Sequence, residues 1–390
     1  MKVAIFSDTY PPEINGVATS ARNLFRTMKA HGEDCIVVTT NPFDSEFSFH
    51  EGIMRVPGIV MKNLYGYIAP NPLNEKCLTL LKEFQPDVIH IQTDGVIGQM
   101  GFLMASKLNS ATVYTFHTMM EDYTYYANKG YFDRAAKSIV RSYVRYKSKE
   151  ADEFITPSEK IREYMRSIKV DAYISVIPTG IDFAAFNRAN VNPEKVQEIK
   201  DKYGLNDKYV ILSLGRIAKE KSIDICLKGY ASFLKEHDGE NTIMAIVGGG
   251  PALDELKSLV ADLGIDSHVK FVGPVNPDEV PLYYALGDCF VSASTSETQG
   301  LTFMEAMASD NILFARYDET LSDLIKEGED GFFFFDEHDF GDKLSRIIAL
   351  SKEEKQKVYA NAHIAIEPYS LEQFYQSVKG VYERARKKNY

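Results

Sequence analysis

Short runs of consecutive apolar, largely β-branched residues alternate along the chain with longer stretches in which apolar residues recur every three or four positions. In the first half, residues 3–6, 35–39, 87–91, 112–116, 153–156 and 175–177 predict strands. Several are apolar on successive residues, the mark of parallel strands covered on both faces. Between them lie helical patterns such as Val17, Ala21, Leu24, Phe25 and Met28, spaced to share one helix face. The second half repeats the rhythm, with strands predicted at 209–214, 242–247, 269–271, 289–292 and 312–315. The alternation predicts an α/β protein with two doubly wound, Rossmann-like parallel sheets. Ligands of such sheets bind beyond the carboxyl ends of the strands, so two sheets facing each other imply a cleft between domains.

The length of 390 residues suits two domains better than one. The polar stretch from Asp182 to about Lys208, carrying Asn190-Val191-Asn192-Pro193, predicts the boundary, giving domains 1–182 and 183–369. Residues 370–386 are amphipathic, with Leu371, Phe374, Tyr375, Val378 and Val381 on one side. A content of 45% hydrophobic and 25% charged residues excludes a disordered chain. The N-terminus turns polar at Ser7-Asp8, too early for a signal peptide. No apolar run approaches the roughly 18 residues of a membrane span. Cys35, Cys77, Cys226 and Cys289 are scattered, with no metal-ligand spacing, and read as thiols in a reducing cytoplasm. Residues 1–182 hold 20 Lys/Arg and 21 Asp/Glu, and the remainder holds 24 and 34, so nearly all of the net charge of −11 belongs to the second half. Such acidity argues against general nucleic-acid binding.

Three loops at predicted strand ends carry candidate chemistry. Tyr10-Pro11-Pro12-Glu13-Ile14-Asn15-Gly16 follows the first strand and opens a helix whose free amides suit a phosphate; an ordinary βα turn reads the same. Gly215-Arg216-Ile217-Ala218-Lys219-Glu220-Lys221 follows strand 209–214. There the Arg216 fork and the Lys221 point charge suit a diphosphate; a solvated charged loop is the bland alternative. Glu297-Thr298-Gln299-Gly300-Leu301-Thr302 leads into a helix carrying Glu305. Two carboxylates eight residues apart across a helix start can hold hydroxyls on either side of a phosphate, or can be a cap and a surface residue. The Gly248-Gly249-Gly250 turn and the strand end at Val272 are weaker signals, for a phosphate and a base edge. His117, at the end of strand 112–116, is structural or functional on its own evidence.

Together these residues resemble glycosyltransferase family 4, the retaining nucleotide-sugar transferases of GT-B fold, over nearly the whole chain. The most specific parts are Glu297-x7-Glu305 with Gly215-Arg216 and Lys221; Tyr10-Pro11-Pro12 and Pro178-Thr179-Gly180-Ile181-Asp182 also match. Two positions depart from the family pattern. Asn15 precedes Gly16 where a second glycine is usual, and Ser222 follows Lys221 where glycine is usual. The resemblance implies that Arg216 and Lys221 bind the donor diphosphate. Glu297 would contact sugar hydroxyls, Glu305 the ribose, and the amides of Gly300, Leu301 and Thr302 the phosphates. Gly16, Gly215, Gly250 and Val272 would complete the donor site, and His117 would face the transferred sugar. It further implies a C-terminal helix, 370–390, that crosses back onto the first domain. It implies no metal and no cofactor, the UDP-sugar being a substrate.

A narrower likeness, carried by residues 8–20 and by Thr115-Phe116-His117-Thr118-Met119-Met120-Glu121-Asp122-Tyr123, points to the bacterial diacylglycerol glucosyltransferase branch. It implies UDP-glucose as donor, a diacylglycerol acceptor and an α-glycolipid product. Residues 129–149 contain seven basic residues and one acid, Asp133. Arg134, Lys137, Arg141, Arg145 and Lys149 recur at helical spacing, with Phe132, Ala136, Ile139, Val140 and Tyr143 largely on another face. Such a helix suits an anionic membrane surface, with Tyr123, Tyr125, Tyr126 and Tyr131 as interfacial anchors in a chain without tryptophan; a solvated helix covering the first domain is the alternative. The expected location is the cytoplasmic face of the cell membrane. The competing readings are the same donor chemistry on a glycan, a non-catalytic nucleotide-sugar-binding subunit, and a dinucleotide oxidoreductase. The last lacks a GxGxxG after the first strand.

Overall fold

The computed structural model describes residues 1–61, 67–117, 133–237, 239, 241–294, 299–318, 321 and 324–389. The chain divides into two compact units, Met1–Gly180 with Leu371–Tyr390, and Ile181–Ser370.

The first unit contains strands β1 (Lys2–Phe6), β2 (Asp34–Thr40), β3 (Ser48–His50), β4 (Ile53–Val56), β5 (Gly58–Met61), β6 (Tyr67–Pro70), β7 (Val88–Ile91), β8 (Ala111–Thr115), β9 (Glu153–Thr156) and β10 (Ile174–Val176). Its helices are α1 (Gly16–Ala30), α2 (Glu75–Phe84), α3 (Val96–Leu108), α4 (Asp133–Glu150), α5 (Glu159–Ser167) and the C-terminal α14 (Leu371–Lys388). Eight strands form one sheet in the order β10-β9-β8-β7-β1-β2-β4-β3, and β5 and β6 form a separate hairpin. Among the described strands of the large sheet, β3 alone runs antiparallel. Alternate residues of each strand face opposite cores. Ala4, Phe6, Ile36, Val38, Ile89 and Ile91 meet Leu81, Met100 and Met104 on one side. Val3, Ile5, Cys35, Val37 and Val88 meet Leu24 and Met28 of α1 and Phe374, Val378 and Tyr382 of α14 on the other. Each fully buried aliphatic side chain contributes roughly 1.5–3 kcal/mol. Charges fix α14 at its edges, with Arg384 and Lys388 on Glu153, Lys379 on Glu33, and Arg386 on Asp87.

The second unit contains β11 (Tyr209–Leu214), β12 (Thr242–Val247), β13 (Val269–Gly273), β14 (Cys289–Ser292), β15 (Ile312–Arg316) and β16 (Phe332–Phe334). Its helices are α6 (Phe183–Phe186), α7 (Pro193–Tyr203), α8 (Ile223–Glu236), α9 (Leu253–Leu263), α10 (Val280–Tyr284), α11 (Leu301–Ala308), α12 (Phe340–Ile348) and α13 (Lys352–Ile366). Its six strands are all parallel, in the order β13-β12-β11-β14-β15-β16. In both units the winding direction reverses beside the first strand, between β1 and β7 and between β11 and β14. Those switch points are where ligands of such sheets bind.

Three features go beyond or against the sequence reading. Strands β3 to β6 and β16 did not announce themselves, because strands of three or four residues carry too little periodicity. The stretch read as a polar boundary is folded: Asp182 caps α6, and Asn192 caps α7 with Pro193 in its first turn. In α4 the inward stripe is Val144 and Lys147, buried, with Val140 and Tyr143 partly buried beside them, whereas Ile139 is 70% exposed.

Candidate active site

The loop after β11 is built by alternating anchors and charges. Ile217 and Ala218 are buried, which leaves Arg216 exposed and Lys221 half-buried at the carboxyl end of the strand. Arg216 lies 3.5 Å from Glu220; an exposed pair of this kind contributes at most about 1 kcal/mol and competes weakly with a polyanion. The loop is held by backbone bonds to the turn after β12, Gly215 N to Val247 O and Ile217 N to Gly249 O, both 3.0 Å. This close approach explains the glycine run. A Cβ on Gly248 would lie 1.9 Å from the Gly215 carbonyl oxygen, and one on Gly250 2.2 Å from that of Ile217. Gly250 thus supports the loop that carries Arg216. Ser222 holds φ +49°, ψ +38°, the left-handed conformation that glycine adopts without cost. The serine departure therefore leaves the backbone path intact.

Across the switch point, α11 begins at Gly300 with φ +77° and no side-chain cap. An added Cβ there would meet the Phe303 ring at 2.7 Å. Its first-turn amides, at Leu301 and Thr302, open a helix end that favours anions. Glu305 is half-buried one turn on and accepts a 2.9 Å bond from the hydroxyl of fully buried Tyr284. Arg188, from the segment after α6, holds the far end of α11 by donating to the carbonyls of Ser309 and Gly287. Neither Tyr284 nor Arg188 has a local sequence signal. In β13 the register slips between the pairs Ile246–Phe271 and Val247–Gly273, so Val272 is the unpaired residue of a bulge. Its carbonyl lies 3.4 Å from the Tyr203 hydroxyl. Glu297 lies outside the described residues.

The switch point of the first unit is arranged differently. Asp8 accepts from Ile97 N at 2.9 Å and from the Thr93 hydroxyl at 2.6 Å, closing the start of α3. Asn15 caps α1 by accepting from Ala18 N at 2.9 Å and donates to Thr9, whose hydroxyl bonds Glu13. Gly16 is exposed as the first residue of α1. His117 is half-buried, with Nε2 2.5 Å from Gln92 Oε1. Burial lowers its pKa to about 4, so it is neutral at pH 7. Gln92 and its neighbour His90 carried no prediction from the sequence. Asp94, at the same strand end, accepts from the Tyr114 hydroxyl, and burial raises its pKa to about 6. Among the described residues no group of three His, Cys, Asp or Glu stands close enough to hold a metal, and none of the helices is long and apolar enough to cross a membrane.

On α4, Arg141 and Lys149 are exposed, and Lys137 and Arg145 are partly so. Ile139 and Tyr146 are exposed as well. Lys147 is buried over the Phe102 ring and pairs with Glu150 at 2.6 Å. The side chain of Arg134 and residues 118–132, with their four tyrosines, lie outside the described residues.

A family model described as Glycosyltransferase Family 4 matches residues 14–185, and one described as Glycosyl transferases group 1 matches residues 195–364. The chain is 36% identical to the alpha-monoglucosyldiacylglycerol synthase of Streptococcus pneumoniae, over 90% of this chain and 79% of that protein. It is 33% identical to the enzyme of the same name from Acholeplasma laidlawii, over 98% and 96%. Among solved structures, Anabaena HepE in complex with UDP and glucose superposes with a TM-score of 0.76 at 17% identity, covering 98% of this chain and 99% of that one. Sucrose-phosphate synthase of Thermosynechococcus elongatus gives 0.76 at 18% identity, with 98% of each chain covered. The fold is that of the GT-B glycosyltransferases, with two Rossmann-like domains.

Proposed function

The chain belongs to the family 4 glycosyltransferases, and from that premise we propose that it transfers glucose from UDP-glucose to diacylglycerol with retention of the anomeric configuration. One observation carries the reading. The switch point of the second unit brings together an Arg216–Lys221 loop and a helix start left without a side-chain cap. Two cations and a set of amides at one point suit a leaving diphosphate. The identity to two alpha-monoglucosyldiacylglycerol synthases supports the sugar and the acceptor, and the UDP and glucose of the Anabaena complex are compatible with the donor.

In this mechanism the bond between the sugar C1 and the diphosphate oxygen breaks as the acceptor hydroxyl bonds to C1 on the same face. The hydroxyl proton passes to the departing diphosphate. Arg216, Lys221 and the amides at Gly300–Thr302 stabilise the charge that grows there, which is preorganised electrostatic catalysis. Glu305, oriented by Tyr284, binds the ribose, Glu297 binds sugar hydroxyls, and neutral His117 faces the transferred sugar. The charge neutralisation comes from protein groups, so the reaction proceeds without metal or cofactor. The outward side of α4, with Arg141, Lys149, Ile139 and Tyr146, mixes cations with apolar and aromatic groups as an interfacial helix does. It docks the enzyme on an anionic bilayer, at about 1 kcal/mol per basic residue near the surface.

The test is UDP release from UDP-glucose, with and without diacylglycerol in anionic vesicles, with EDTA present. Release that depends on the lipid is the expected result. Release indifferent to lipid removes the acceptor and keeps the transferase. Folded protein that releases nothing from UDP-glucose overturns the donor assignment.

A further inference from the structure

Two neutral histidines of the first unit are joined through one amide, and the joint reaches the C-terminal helix. His90 is fully buried at the end of β7, and burial lowers its pKa to about 3. Its Nδ1 is 2.7 Å from the hydroxyl of Tyr382 on α14, and its Nε2 is 2.7 Å from the hydroxyl of Thr115 at the end of β8. Both in-plane positions of the ring are thereby taken. Gln92 lies two residues on, and the strand's period of two turns it toward the same side. Its amide nitrogen is 3.2 Å from His90 Nε2 and 3.4 Å from Nδ1. Two contacts of similar length, with hydroxyls already in line with each nitrogen, set the NH2 group over the imidazole ring. A neutral ring presents its electron-rich face there, which favours an N–H and disfavours a carbonyl oxygen. The amide is thus turned with Oε1 toward His117, 2.5 Å from Nε2. A carbonyl oxygen only accepts, so the nitrogen facing it must carry the proton.

We propose that His90 and Gln92 are positioning residues that hold His117 as the Nε2–H tautomer, with Tyr382 of the C-terminal helix fixing the ring that sets the amide. His117 then keeps Nδ1 as a lone pair, able to accept from a hydroxyl of the substrate. The consequence for turnover rests on the proposed place of His117 beside the transferred sugar; the tautomer itself does not. The arrangement also gives α14 a part in the site: it supplies the hydroxyl that orients His90, 292 positions away in sequence.

The experiment is nitrogen-15 NMR of the imidazoles in the full chain, with His117 assigned through His117→Gln. The expected wild-type pattern is a protonated Nε2 and an unprotonated Nδ1 at pH 7. Gln92→Leu should give a mixture of tautomers, and kcat for UDP-glucose should fall about tenfold while the Kd for UDP stays within twofold. Tyr382→Phe keeps the ring packing and should shift the tautomer less. Gln92→Glu places a carboxylate on Nε2–H and should raise the acid limb of the kcat profile. Circular dichroism establishes that each variant is folded. A wild-type Nδ1–H tautomer, or a Gln92→Leu spectrum like that of wild type, overturns the inference. Should His117→Gln leave turnover unchanged, the role of His117 beside the sugar fails instead, and the NMR result still decides the relay.

Discussion

The two units share one topology and arrange its switch point in opposite ways. In the second unit cations gather at the strand end, with Lys221 half-buried. Arg216 is exposed, and α11 starts at a glycine with no side-chain cap. In the first unit the corresponding groups are answered by neighbours. Asn15 caps α1, Asp8 closes the start of α3, and Gln92 engages both His90 and His117. Capping is the ordinary solution, because an unsatisfied helix start costs stability. α11 shares the lack of a side-chain cap with other helices of the chain; what sets it apart is the pair of cations at the same switch point, and that combination is where an anion is expected. The same contrast explains the two departures from the family pattern. Asn15 adds a cap on the side where a cap belongs. Ser222 holds the glycine-like backbone on the side where the path of the cationic loop matters.

The largest test of this contrast is to remove a cation from the open side. Arg216→Ala should lower kcat by about 10²–10³-fold, the range seen when one charge-stabilising donor is lost from a transition state. Stability should stay nearly unchanged, since Arg216 is exposed and its pairing with Glu220 is weak. Steady-state UDP release beside a thermal melt separates the two effects. Turnover within a factor of two of wild type would remove the second-unit switch point as the donor site.

The second test uses pH. Native His117 and His90 titrate near 4 and near 3, well below the ordinary 6.5, so the unfolded chain binds more protons than the native one in that interval. Stability from these groups is present above about pH 6.5 and is lost as pH falls toward 4. Asp94 works the other way: its native pKa of about 6 exceeds the ordinary 3.8, so it gains stability over part of the same fall. At about 1.4 kcal/mol per pKa unit, two histidines outweigh one aspartate. In the second unit the His363 pKa is raised by its bond to Asp310, which favours the native state on acidification. Hydrogen exchange between pH 7 and pH 5 should therefore rise in β7, β8 and α14 before it rises in α11 and α13. The reverse order would contradict the buried, neutral state of the two histidines.

The layered fold was legible because buried parallel strands leave dense apolar runs, and residues 289–292 or 242–247 can hardly be read otherwise. The cationic loop and the glycine-started helix were legible for a related reason: each is a short local motif following such a strand. What was not legible is made by residues far apart. Tyr284 reaches Glu305 from a five-residue helix, and Tyr382 reaches His90 from the other end of the chain. The spacing of His90 and Gln92 at a strand end was the one signal available for the relay. The reading of α4 missed at Ile139, which was grouped with the apolar face and is exposed. Lys147, one of the seven basic residues in 129–149 but not of the cationic face read there, is buried beside Val140, Tyr143 and Val144 with its ammonium over Phe102. Its charge is held inside by the ring and by Glu150, which a charge pattern along the sequence cannot show.

The smallest expected effect is also the most specific to this chain. Ser222 sits at φ +49° between the 3₁₀ turn Lys219–Lys221 and α8, and it is the N-terminal neighbour of buried Ile223. A side chain in the left-handed region costs about 1–2 kcal/mol. Glycine removes that cost but loses about 0.5–1 kcal/mol through the greater freedom of the unfolded chain. The difference favours Ser222→Gly by about 0–1.5 kcal/mol, read as a small rise in the denaturation midpoint at unchanged m-value. Because the serine already follows the glycine path, Lys221 keeps its place, and the kcat of the variant should stay within twofold of wild type. A large change in kcat, in either direction, would mean that Ser222 alters the cationic loop rather than tolerating its shape, and the open side of the comparison would then depend on this residue.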